Sequence, residues 1–370
     1  MAGPPEHAAL WALTPNGARL ADHLAGEWPG TEVYLSARVA APYPGARIFD
    51  KLGPAVEKHF STHRAHIFFM ATGIVVRTIA PLLAHKTKDP AVVVVDDRAN
   101  FAISLVSGHL GGANRLAAAA AERLGAQAVI TTATDVNQKP AVDLLAQEAG
   151  LVIENPEAIR HINAALLEEA PICCHDPLGL VAPRLPSTLT PPPGPESRPP
   201  DFGSHPGLYV DDRVVDLPPR VLVLRPPTLV AGMGCNRGTA TAELRGLLES
   251  ALNRHGLAPK SHAAIASRHL KADEKGLNEL AGELGLPLAC HPRSDLAKNT
   301  HAPSPSAVVQ HHIGVPSVCE AAALTSAPRG ALIVPKMKTS NATVAVARRP
   351  PAKGRFAPRD STSSASAPAI

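Results

Sequence analysis

A chain of 370 residues with 45% apolar and 18% charged positions has room for two or three compact units and is too apolar for global disorder. No apolar run approaches the ~20 residues that a membrane span needs. Five basic residues against one acid between positions 348 and 360 account for the whole formal charge of +4, so the remainder is near neutral. With aromatics at only 3%, nucleic-acid binding is excluded as the leading reading.

In chain order, 66–70 reads as a buried strand and 73–86 as a helix. Residues 91–95 and 101–106 read as strands joined by a turn at 96–100, where Asp96, Asp97 and Asn100 are turn formers. An alanine-rich helix follows over 113–124, closed by Gly125, and then a strand over 127–131. A helix over 157–169 starts at Pro156, a favoured first-turn residue. Nine prolines between 183 and 206 read as a linker or surface excursion. The pattern then restarts, with strands at 220–224, 229–233 and 262–266 and helices at 239–255, 274–284 and 317–325. Strands at 331–334 and 342–347 complete it. From 349 onward the Pro, Ser, Ala and Arg content predicts a disordered tail. Alternating strands and helices predict an α/β, multi-domain protein. It has an α/β sandwich at 1–139, a small middle domain at 140–225 that includes the linker, an α/β domain at 226–348, and the tail.

Three motifs follow strands in the first half. Thr72, Gly73 and Arg77 open a helix whose free N–H groups suit an anion, although a plain turn with a solvated Arg77 explains them equally well. Ser107, Gly108, His109, Gly111, Gly112 and Asn114 place a hydroxyl, an imidazole and an amide around glycines that let backbone approach a ligand. Asp135 ends the third motif, where it either caps the next segment or faces the same site. Ligands of open α/β sheets bind at the carboxyl ends of strands, so the three motifs are expected to share one rim.

In the second half, Gly232 to Thr239 links a strand to a helix with GxGxxxG spacing, not the dinucleotide GxGxxG. The next strand ends in Ser267-Arg268, with no acid for a ribose. NAD is disfavoured, and an NADP-dependent reductase stays as an alternative. Cys173-Cys174-His175, Cys290-His291 and His311-His312 lack metal-ligand spacing, and the five cysteines contain no CxxC, so no intrinsic metal is expected. Those thiols and an N-terminus without a basic start and apolar block predict a reduced, cytoplasmic chain with no membrane attachment. Glu320, three residues after Ser317, reads as the acid of a capping box.

The order of these motifs resembles the cobalt-precorrin-5A hydrolase (CbiG) family of anaerobic cobalamin biosynthesis. The resemblance runs through 70–77, 79–83, Lys86, 89–96 and 104–114, then 234–239, 270–274, 318–324 and 334–336, and the string SGHLGGAN is its most specific part. It implies three parts, the last of which also occurs alone in the aerobic pathway. It also implies a reaction that opens the ring-A acetate lactone and expels the methyl-bearing meso carbon as acetaldehyde, giving cobalt-precorrin-5B. The chain departs at Asn236, where the family commonly has Arg, and at Ala242, which replaces one of two acids while Glu243 remains. That departure weakens the anion-binding reading of this loop.

The implied substrate carries many acetates and propionates. Its expected contacts are Thr72, Gly73, Arg77, Gly108, Gly111, Gly112, Asn114, Gly234, Arg237, Gly238, Thr239, Lys271 and Lys336. Both steps need a base near neutral pKa, which favours His109 with Ser107 orienting water, and Asp97 and Asp135 are the alternatives. Cobalt arrives within the substrate, so no cofactor is expected. Neighbouring precorrin methyltransferases are the protein partners under consideration. A non-catalytic corrinoid carrier is the competing reading, and it would release no acetaldehyde.

Overall fold

The computed structural model describes residues 7–39, 43–85, 88–186, 189–190, 201–298 and 317–351. Two compact units interleave along the chain. Met1–Leu145 and Ile159–Ala170 form one, and Ala146–Ala158 and Pro171–Ile370 form the other. Among the described residues no helix is long and apolar enough to cross a membrane.

The first unit is built on strands β1 (Ala8–Ala12), β2 (Glu32–Ser36), β3 (Arg47–Phe49), β4 (Ala65–Phe69), β5 (Ala91–Val95), β6 (Phe101–Val106) and β7 (Gln127–Val129). Every residue of β1, β4 and β5 is buried, the pattern of parallel strands covered on both faces. The sheet order is β3-β2-β1-β4-β5-β6-β7. One face packs on α1 (Pro15–Glu27) and α4 (Ala113–Leu124), the other on α2 (Leu52–His59) and α3 (Thr72–Ile79), which makes the expected α/β sandwich. Thr14 caps α1 by accepting from the Gly17 N–H, and Gly125 closes α4 at φ +67°. The helix expected over 73–86 is shorter. It ends at Ile79 and tightens into a 3₁₀ turn at Ala80–Leu82, because Pro81 supplies no N–H and its ring obstructs a further α turn.

Strands β1 to β5 run parallel, but β5 and β6 are antiparallel, and β7 runs with β6. Asp96 makes the reversal by accepting from the N–H groups of Arg98 and Phe101. The carboxyl ends of β4 and β5 therefore lie at one edge of the sheet, and those of β6 and β7 at the other. Five residues of strand separate the two edges by roughly 17 Å. The single rim expected for the three motifs is thus split. Thr72, Gly73, Arg77 and Asp97 are at one edge, and the Ser107–Asn114 and Asp135 motifs at the opposite one.

Beyond the sheet, the unit adds α5 (Ala133–Val136), the start of α6 (Val142–Glu148) and α7 (Ile159–Leu167), the last preceded by a 3₁₀ turn at Pro156–Ala158.

Among its described residues the second unit holds two five-stranded sheets. In the first, β8 (Val152–Ile153), β9 (Ile172–His175), β10 (Leu189–Thr190), β11 (Gly207–Val210) and β12 (Val221–Arg225) are ordered β10-β9-β11-β12-β8. The proline-rich stretch is more than an excursion. Leu189 and Thr190 pair with Ile172 and Cys173 as an edge strand, and Phe202 is buried against Cys173, Tyr209 and Val221. Residues 191–200, and the expected tail beyond Pro351, lie outside the described residues.

The second sheet contains β13 (Leu229–Cys235), β14 (His262–Arg268), β15 (Leu288–His291), β16 (Ala331–Lys338) and β17 (Ala342–Arg348), in the order β15-β14-β13-β17-β16. Helices α8 (Thr241–Arg254) and α9 (Lys275–Leu284) cover one face, while α10 (Arg293–Leu296) and α11 (Val318–Thr325) cover the other. A Cβ at Gly232 would stand 1.9 Å from the Cys319 carbonyl, so that glycine is where α11 lies against the sheet. The capping box does not form. Ser317 makes no side-chain cap, and the fully buried Glu320 accepts from the Lys336 N–H at 2.9 Å. Within this unit Asp212, 3% exposed, accepts from Arg348 Nε at 2.7 Å, Arg348 Nη2 at 2.6 Å and Thr228 Oγ1 at 2.6 Å.

Candidate functional site

The loop after β6 and the segment after β7 leave neighbouring parallel strands at the same edge, which brings the second and third motifs together. The loop is locked from within. Gly112 N–H donates to the His109 carbonyl, Ala113 N–H to that of Ser107 and Asn114 N–H to that of Gly108. Ser107 holds φ +59°, a strained value for a residue with a Cβ, and its hydroxyl donates to the Asp89 carbonyl at 2.9 Å. That bond ties the start of the loop to the segment that precedes β5.

The glycines serve the same compactness. A Cβ at Gly108 would stand 2.7 Å from Asn114 Oδ1, and one at Gly111 would stand 2.4 Å from Ser107 Cβ. Gly112 needs its positive φ of +87°. The close approach expected toward a ligand is, at Gly108 and Gly111, an approach to the loop's own Asn114 and Ser107. Gly111→Ala should therefore displace the loop and lower catalytic turnover about tenfold or more, since misplacing a reacting group by ~1 Å costs on the order of 10²-fold. Steady-state rates beside a circular-dichroism spectrum check this, and an unchanged rate would mean the loop is not at the reacting centre.

This packing projects His109, whose side chain is 11% exposed, between two carboxylates. Nε2 lies 2.7 Å from Asp135 Oδ2 and 3.1 Å from Thr134 Oγ1. Nδ1 lies 3.6 Å from Asp143 Oδ1, beyond hydrogen-bond length, and that buried oxygen has no hydrogen-bond partner among the described residues. Asn114 Nδ2 donates to Thr132 Oγ1 at 2.8 Å and to Asp135 Oδ2 at 3.0 Å, and Ser104 donates to Asn114 Oδ1 at 2.6 Å. Asp143, then Asp135, hold the His109 pKa above its ordinary value of 6.5, and together they outweigh the opposing effect of burial. A cavity of about 320 Å³ opens here, with Ser107, His109, Thr134 and Asp143 on one side and Ile159, Asn163 and Leu167 of α7 on another.

The other expected residues stand apart. Asp97, at the opposite edge, accepts from Thr14 and Asn16, bonds that hold its pKa below the ordinary carboxylate value. Arg77 is exposed and donates to the Gly73 carbonyl at 3.0 Å, within its own helix. In the second unit the Gly238 N–H is occupied at 2.8 Å by Glu274, which also accepts from the buried Lys271 at 2.7 Å. A carboxylate thus stands where a phosphate would have to bind, which counts against the NADP reading. Gly234 approaches Thr343, Thr239 donates to the Asn236 carbonyl, and Arg237 is exposed and faces Asp273 at 3.5 Å. Lys336 is half-buried.

Sequence reasoning missed Asp143 and the α7 wall; Thr132 and Thr134 belong to the third motif, 131–135, but carried no assigned role there. Only the acid in the first turn of an apolar helix marks Asp143, and many surface helices share that feature.

Three family models match in succession. These are Cobalamin synthesis G N-terminal at residues 54–135, Cobalamin biosynthesis central region at 140–226 and Cobalamin synthesis G C-terminus at 229–347. The chain is similar to the cobalt-precorrin-5A hydrolase of Priestia megaterium, 31% identical over 360 residues that cover 92% of this chain and 95% of the relative. It is 35% identical to the cobalt-precorrin-5A hydrolase of Salmonella typhimurium over 337 residues, covering 86% and 91%. Protein CobE of Sinorhizobium sp is 36% identical over 121 residues, which are 32% of this chain and 79% of that protein.

Proposed function

The chain belongs to the cobalt-precorrin-5A hydrolase (CbiG) family, and from that premise we propose that its hydrolysis of cobalt-precorrin-5A takes place at His109. The observation that carries this reading is an imidazole held between two carboxylates at the wall of a cavity. Its volume of about 320 Å³ suits the lactone-bearing edge of a tetrapyrrole, with the rest of the macrocycle outside.

In the first step the His109–Asp135 pair takes a proton from water as the water adds to the lactone carbonyl, and it returns that proton to the ring oxygen as the C–O bond opens. In the second, the freed hydroxyl gives its proton to the same pair. The bond from ring A to the methyl-bearing meso carbon breaks, its electron pair passes into the macrocycle, and acetaldehyde leaves. Asn114, whose amide also donates to Thr132, holds Asp135 during both steps. Cobalt enters with the substrate, and the precorrin methyltransferases adjoining this step are the proposed recipients of the product. A cytoplasmic setting accords with five free cysteines.

Incubation with cobalt-precorrin-5A and trapping of acetaldehyde tests the reading, and binding without acetaldehyde would identify a carrier instead. A base must be neutral, and His109 sheds its proton above the ordinary value. The acid limb of acetaldehyde release should therefore have its midpoint above about 6.5, with activity falling as pH falls through it. A midpoint near 4 would move the base to a carboxylate.

A further inference from the structure

We infer that Asp143 is the positioning residue of this reaction: it holds the Nδ1–H of His109, so that Nε2 is the nitrogen exchanging protons with the substrate. The inference rests on the assignment of the chemistry to His109. Asp143 is 5% exposed, and its Oδ1 is buried without a hydrogen-bond partner among the described residues, 3.6 Å from Nδ1. A buried carboxylate oxygen without a donor is a costly arrangement, and the imidazole is the donor facing it across less than 1 Å beyond hydrogen-bond length.

The two carboxylates differ in access. The Asp135 side chain is 36% exposed and lies on Nε2, beside the Thr134 hydroxyl, where water and substrate arrive. The Asp143 side chain is 8% exposed and lies behind the ring. A buried acid that orients an imidazole from its far nitrogen fixes the tautomer and stabilises the imidazolium when the ring takes a proton. Among the described residues, the charged groups facing His109 are Asp135 of α5 and Asp143 of α6. The side chains of α7 in the same cavity, Ile159, Asn163 and Leu167, carry no charge. Both carboxylates therefore act in the direction of holding a proton on the ring.

The test is Asp143→Asn in the full-length protein, with Asp143→Ser beside it to remove the carboxylate without adding an amide donor. Two measurements are made: an NMR titration of the His109 ring in the free protein, and the pH profile of acetaldehyde release. Asp143→Asn should lower the ring pKa, move the acid limb to lower pH and reduce kcat at least tenfold with little change in KM. Asp143→Ser should shift the titration the same way. An unchanged ring titration in both folded variants would overturn the inference. The ring titration needs no turnover, so it separates this inference from the assignment beneath it. If the titration shifts but His109→Gln retains full turnover, Asp143 still orients His109 and the chemistry lies elsewhere.

Discussion

Acetaldehyde release by His109→Gln should fall roughly 10²–10⁴-fold, the range for losing a general base. Glutamine is near the imidazole in size and can still donate to Asp135 across the 2.7 Å that Nε2 now spans, but it cannot accept a proton near neutral pH. Asp135 keeps its Asn114 hydrogen bond in the variant, so the wall of the cavity should stay in place. The affinity for cobalt-precorrin-5A should then change little, and the loss should appear in kcat. Single-turnover trapping of acetaldehyde, paired with a binding titration, makes the measurement. Retained turnover would pass the role of base to Asp135, because Asp97 lies at the other edge of the sheet, bonded to Thr14 and Asn16.

The largest effect on stability is expected at Asp212. Asp212→Ala removes a buried carboxylate that accepts two N–H groups of Arg348 and the hydroxyl of Thr228, and it leaves Thr228 with the longer bond to the Pro226 carbonyl at 3.4 Å. Breaking a buried ion pair costs about 3–5 kcal/mol. The Arg348 side chain is 33% exposed and can recover part of its hydration, so about 2–3 kcal/mol is the expected loss. For a unit of this size that lowers the melting temperature by roughly 5–10 °C. Calorimetry of the intact protein checks it, and a shift below about 1 °C would show that Asp212 is not a tie within the unit.

Much of the α/β pattern was legible because apolar runs such as Ala91–Val95 have no other use than as covered strands. The first 60 residues were not read. β1 is only Ala-Ala-Leu-Trp-Ala, and its burial comes from β2 and β4 on its two sides, contacts that local periodicity does not carry. The glycine-rich loop was recognisable as a site, but the reason for its glycines was not, since Gly111 is fixed by its distance to Ser107 in the folded loop. The shared rim failed at Asp96. The turn was seen, yet its effect, turning the ends of β6 and β7 away from those of β4 and β5, is a property of the sheet. Glu320 failed because burial drew its carboxylate to the Lys336 N–H. Asp143 lies outside every recognised motif, and only folding brings it to the imidazole.

The order in which the chain visits its two units bears on how the gene can be divided. Residues 146–158 belong to the second unit, and the chain then returns to the first with 159–170. His109 and Asp135 fall in the segment matched by the N-terminal family model, whereas Asp143 and the α7 wall fall in that matched by the central one. A fragment cut at the junction near residue 139 would keep the imidazole and its exposed acid, but lose the buried acid and the apolar side of the cavity. Recombination at that junction between two members of the family would splice one parent's imidazole to the other parent's Asp143. The boundaries that a breeder of chimaeras would choose from sequence models thus run through the cavity at His109, and the segment inherited as one piece extends at least from 107 to 167.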